Sequence, residues 1–128
     1  KNESFLEYID GHIAYYAIKD IDKGITLFAR HLDWALKSRN EAHKLKFYTA
    51  SWFLWEKVKI LNYNDEYLLR LPKNTPFYVE NGKYKTEEIL KYCKNQAMNI
   101  AVNFNKRDGE NTADKYIDEI RMCVLKDV

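Results

Sequence analysis

The stretch EAHKLKFYTASWFLWEKVKIL, from Glu41 to Leu61, limits the possible folds more than any other part of the chain. It holds Trp52 and Trp55 together with Phe47, Tyr48 and Phe53. At about 100° per residue these side chains spread round most of a helical circumference, and a helix that is apolar nearly all round has to be enclosed by neighbours. The segment is therefore predicted to be the central helix of a small helical domain, with both tryptophans buried. Its longest uncharged run, Phe47 to Trp55, is nine residues. Spanning a bilayer takes roughly 20, so no membrane segment is expected.

The flanking sequence supplies the enclosing helices. Ser4 and Glu7 form a capping box ahead of Phe5, Ile9, Ile13, Tyr16 and Ala17 at helical spacing. Asp20 or Asp22 ends that helix and caps a second, whose inward stripe is Ile25, Phe28, Leu32, Ala35 and Leu36. Ser38 or Asn40 caps the central helix, and so short a link makes the second and third helices antiparallel neighbours. A single helical turn is expected at Asp65–Arg70, before Pro72. Asn81-Gly82, between FYVE and KYK, signals a type I′ hairpin over 77–85, with Glu80 facing Lys83 and Tyr78 lying towards Lys85. Thr86 is expected to cap a fourth helix carrying Ile89, Cys93, Ala97, Ile100 and Phe104 inward. A fifth begins near Thr112 and buries Ala113, Tyr116, Ile117, Ile120 and Val124. Cys93 and Cys123 fall at one level of this last helical hairpin, where both could point into one interface within bonding distance; two small buried thiols are the favoured expectation, and the sequence leaves a bond between them open. The fold class is all-α: a compact bundle of about five helices around residues 41–61 with one small β-hairpin at 77–85, the whole of 1–128 being a single helical domain.

No reaction signature accompanies this pattern. The chain lacks GxSxG, GxxxxGK[ST] and GxGxxG, and it has no CxxC or Glu-x-x-His pair to hold a metal. Its histidines, His12, His31 and His43, fall on three different helices. Arg39 and His43 resemble the Arg-to-His pair of HEPN-type ribonucleases. The gap of Asn40-Glu41-Ala42 is shorter than that family's, so no ribonuclease is inferred from it. NTPFYVENGKYK is similar to a segment of DsbA-like thioredoxin folds, which need a CxxC nucleophile absent here. No catalytic, cofactor-binding or metal-binding residue is assigned, and no cofactor is expected.

The net charge of +2 makes no global case for nucleic acid. Residues 36–59 nevertheless hold six bases against two acids. Lys46 and Lys57, eleven apart, lie about 20° from each other around the helix and read as lysines bordering a buried face. Lys37, Arg39 and Lys44, together with His43, make a corner at the start of the central helix, while Lys59 lies near its far end. Aromatics reach 15%, with 10 Tyr, and rings beyond the needs of a core commonly serve interfaces. Tyr8, Tyr15, Tyr63, Tyr67, Tyr78 and Tyr84 are the expected exposed rings. The function expected is a non-enzymatic protein–protein interaction module, an accessory factor of viral, phage or bacterial type that binds and modulates a larger protein. Its contact residues would be Tyr78, Lys83, Tyr84 and Lys85 on the hairpin and Lys37, Arg39, His43 and Lys44 at the corner. Self-association is a corollary. Nucleic-acid binding through the corner at 37–46 is the alternative, and an enzyme without a recognisable motif stands third. Two cysteines, with neither a signal peptide nor a membrane span, point to a soluble cytoplasmic protein.

Overall fold

The computed structural model describes residues 12–109, 111–126 and 128. The capping box at Ser4 and Glu7, and Tyr8, lie outside them. Helix α1 is described over 12–19, followed by α2 (Ile21–Lys37), α3 (Glu41–Ile60), α4 (Thr86–Asp108) and α5 (Thr112–Leu125). One two-stranded antiparallel sheet, β1 (Glu66–Leu68) and β2 (Lys83–Lys85), sits between α3 and α4. The architecture is an all-α bundle with one small sheet.

Side-chain caps set the helix starts. Asp20 separates α1 from α2 and its Oδ1 accepts from Lys23 N at 3.3 Å. Asn40, and not Ser38, caps α3: Oδ1 accepts from His43 N at 3.0 Å, while Ser38 Oγ accepts from Asn40 N. Gly24 near the start of α2 packs against Leu54 near the end of α3, so the two helices run antiparallel.

Residues 47–55 are buried without a break, and successive helical side chains point about 100° apart, so α3 is covered on every side. Trp52 is 5% exposed and Trp55 0%. The covering groups come from the whole bundle. Phe28 of α2 stacks on Phe47 and meets Trp55 edge-on at 5.5 Å. Tyr92 of α4 meets Tyr48, Tyr67 of β1 meets Trp55, and the Arg121 guanidinium of α5 lies over Trp52 and Phe53.

Asn62 stops α3. It adopts the left-handed conformation, φ 55°, one residue past the cap. Tyr63 N donates to Val58 O, and Asn62 N to Lys59 O. These paired bonds are the Schellman arrangement, which satisfies carbonyls that the helix end leaves open.

The sheet differs from expectation in its pairing. Residues 66–68, expected as a helical turn, form a strand, and 77–80, expected as the hairpin's first strand, are loop and turn. The register is Glu66↔Lys85, Tyr67↔Tyr84 and Leu68↔Lys83. Tyr67 is drawn inward by the edge of Trp55, and that contact outweighs a weak local helix preference. Asn81-Gly82 does mark a turn, but one closed by Gly82 N donating to Val79 O, with Glu80 and Asn81 at its centre. Gly82 has φ 74°, whereas Asn81 is not among the positive-φ residues, so the type I′ geometry does not arise. Asn81 Oδ1 instead accepts from Lys83 N.

Thr86 is the first residue of α4 and not its cap. Its Oγ1 donates to Asn64 O at 2.7 Å and its N–H to Asp65 O at 2.8 Å, fastening the start of α4 to the end of α3. Glu87 and Glu88 occupy the first turn, where negative charge suits the helix dipole. Gly109, with φ 69°, ends α4. Asn105 then bridges to α5, accepting from Ala113 N and donating to Asp114.

Both cysteines are free thiols, and they differ: Cys93 is buried in α4, while Cys123 is exposed on α5. The expectation of two buried thiols fails at Cys123, because Val124 and Ile117 take the inward positions of α5. Burial pushes the Cys93 thiol far above its ordinary range. A thiol-specific chromogenic reagent should therefore label one cysteine per chain quickly in the native protein and the second only after denaturation. Equal rates for the two would contradict the burial of Cys93.

Candidate functional site

Three surfaces gather the groups that could recognise something. The first is the sheet end. Lys83 and Lys85 are exposed and Tyr78 is half-buried, but Tyr84, expected as a contact ring, is a core residue at 2% exposure. In a strand the side chains alternate, so two solvent-facing lysines direct the tyrosine between them to the other face. There its hydroxyl accepts from Val79 N and donates to Val79 O, and its ring meets Phe77 edge-on. What the sheet end presents instead is Leu68, 77% exposed. Beside it lies a groove of about 430 Å³ lined by Leu68, Leu69, Arg70, Leu71 and the segment 78–82, with Tyr84 at its base.

The second surface is the basic corner. Lys37 pairs with Asp33 at 2.9 Å, and Lys44 lies 3.8 Å from Glu41. Surface pairs of this kind add little stability, yet they offset two of the corner's positive charges. The amides at the start of α3, which could have received a phosphate, already face the Asn40 side chain. Arg39 is exposed and His43 is half-buried.

The third surface was not apparent in the sequence. A cleft of about 510 Å³ opens between the α1–α2 corner and the end of α3, lined by residues 18–22, Lys57, Tyr63, Asn64 and Tyr67. Lys57, read from spacing as a border lysine, is 8% exposed. Lys46, about 20° away around the same helix, is half-buried. The difference arises because the α1–α2 corner and β1 cover the C-terminal part of α3. Burial raises the Tyr67 hydroxyl, the Asn64 side chain opposes that shift, and the nearby charge of Asp22 adds to it.

The histidines stay on separate helices. His12 lines a cavity with Tyr16, Lys23, Thr26, Leu27 and Arg30. His31 packs against Trp34 and is lowered from 6.5 by burial first and by Arg30 second. Among the described residues no three of His, Cys, Asp or Glu gather as a metal site, and no helix is long and apolar enough to cross a membrane. Of the other expected exposed rings, Tyr15 and Tyr63 are exposed at 54% and 53%, and Tyr67 is half-buried.

Comparison with protein-family models, with curated proteins and with solved structures found no match for this chain.

Proposed function

We propose that the chain is a protein-interaction module whose contact element is the sheet end, centred on Leu68 and the groove beside it. The supporting observation is a leucine 77% exposed at the rim of a groove whose lining includes the apolar side chains of Leu69, Leu71 and Val79. Burying a leucine under a partner is worth roughly 1.5–3 kcal/mol, enough to make such a residue a binding anchor. Arg70, Lys83 and Lys85 outnumber Glu66 and Glu80 among the exposed charges around it. The partner surface that fits is an apolar side chain flanked by acids.

The reading is tested by cross-linked pull-down from the source cells with wild type, Leu68→Asp and a control, Met122→Asp, whose side chain is exposed on α5. The expected outcome is a protein retained by wild type and by the control but lost with Leu68→Asp, at unchanged melting temperature. A partner that survives Leu68→Asp but is lost on charge reversal at Arg39 and Lys44 would transfer the site to the basic corner. Sedimentation of the same variants shows whether that partner is a second copy of the chain.

A further inference from the structure

Strand β1 has one side that β2 does not use. In an antiparallel ladder, residues alternate between bonding the neighbouring strand and facing away from it. Leu69 N donates to Gly82 O and Thr86 N to Asp65 O, which makes 65, 67 and 69 the positions bonded to β2. Glu66 and Leu68 therefore turn their N–H and C=O groups to the other side. Among the described residues the sheet has two strands, so no third strand of the chain meets them there. The far edge of β2 is less open, because Asn81 Oδ1 already accepts from Lys83 N. An edge with its donors and acceptors in line is a template for another strand.

The side chains narrow the choice of strand. Along β1 the exposure alternates: Glu66, Leu68 and Arg70 are exposed, while Tyr67 and Leu69 are half-buried. An added antiparallel strand would set its own side chains opposite the exposed three. Arg70 calls for an acid, Leu68 for an apolar side chain and Glu66 for a base. Read from N to C on the incoming strand, the pattern is acid, any, apolar, any, base. Glu66-Tyr67-Leu68-Leu69-Arg70 of β1 itself has that pattern. We propose that the open edge of β1 pairs antiparallel with the same edge of a second copy, about a two-fold axis at Leu68. The proposal rests on the sheet end being the contact element and names its occupant. Each Leu68 then exchanges N–H and C=O bonds with the other, and each Glu66 faces Arg70 of the second copy. A two-fold contact needs one patch complementary to itself, and this edge is such a patch.

The test is sedimentation equilibrium of the chain from about 10 μM to about 1 mM, since so short an edge makes a weak, transient contact. Wild type should pass from monomer to dimer over this range, with concentration-dependent amide NMR shifts confined to 65–70. Glu66→Arg or Arg70→Glu alone sets like charges opposite each other at two symmetric places, and each should dimerise about tenfold more weakly or worse. An equimolar mixture of the two variants should regain the wild-type affinity, because each then meets opposite charge on the other. Both positions are exposed, and unchanged melting temperatures verify the folds. Should Glu66→Arg, which also faces Lys85, be destabilised, Arg70→Glu and the wild-type shifts decide the matter. The pairing is overturned if wild type stays monomeric at about 1 mM, if the shifts fall elsewhere, or if the mixture dimerises no better than its components. A monomeric chain whose pulled-down partner is lost with Leu68→Asp overturns the pairing alone and gives the edge to a foreign strand. The interaction reading fails separately, when Leu68→Asp keeps every partner.

Discussion

Trp55→Ala is expected to remove about 3–5 kcal/mol of unfolding free energy, since truncating a buried aromatic loses its transfer energy and leaves a cavity. A domain of this size has about 5–15 kcal/mol in total, so the loss takes a large share of the stability and should lower the denaturation midpoint markedly. Trp55 has no exposed surface and touches Phe28 from α2 and Tyr67 from β1, so the gap would disconnect two elements from α3. Trp52→Ala belongs to the same class, with one difference. The Trp52 indole N–H donates to Glu56 and its ring lies under Arg121 and Lys94, so part of its loss is polar. Urea denaturation followed by circular dichroism gives both values. A Trp55→Ala protein with a wild-type midpoint would mean that α3 is not the enclosed element described above.

Tyr84 provides the second large effect and separates two roles for one residue. Tyr84→Ala should cost about 3–5 kcal/mol, as expected for a core ring. Tyr84→Phe keeps the ring against Phe77 and loses the hydroxyl's two bonds to Val79, a cost of about 0.5–1.5 kcal/mol per bond. The same denaturation experiment measures both. If Tyr84 were instead a contact ring, both variants would melt like wild type and the alanine variant would lose only binding.

The contrast between α3 and the sheet shows what the sequence could carry. Nine uncharged residues from Phe47 to Trp55 and an Asn40 cap specify a buried helix through local pattern alone, and the boundaries agree within a residue. Strand pairing is a long-range property. Asn81-Gly82 announces a turn but not its partner, and β1 has three residues, too few for a period of two to stand out. Lys83-Tyr84-Lys85 did contain the inward direction of Tyr84, because the flanking lysines leave it one face. Cys123 shows another limit: counting from the hairpin fixes height along a helix and says nothing about rotation. Lys57 shows the same limit for burial, since the α1–α2 corner that shares its cleft is distant in sequence.

The sheet also acts as a neck. The backbone leaves at Leu68 and returns at Lys83, its register partner, so the fourteen intervening residues form an excursion whose two feet are held one strand spacing apart. Leu71 and Thr75 root that excursion in the bundle, whereas Lys73 and Asn74 lie exposed at its tip. Lengthening a loop with fixed feet costs only about 0.6 kcal/mol per doubling. The tip is accordingly where this architecture can accept added sequence, a tag or a whole second domain, without the helices beneath having to rearrange.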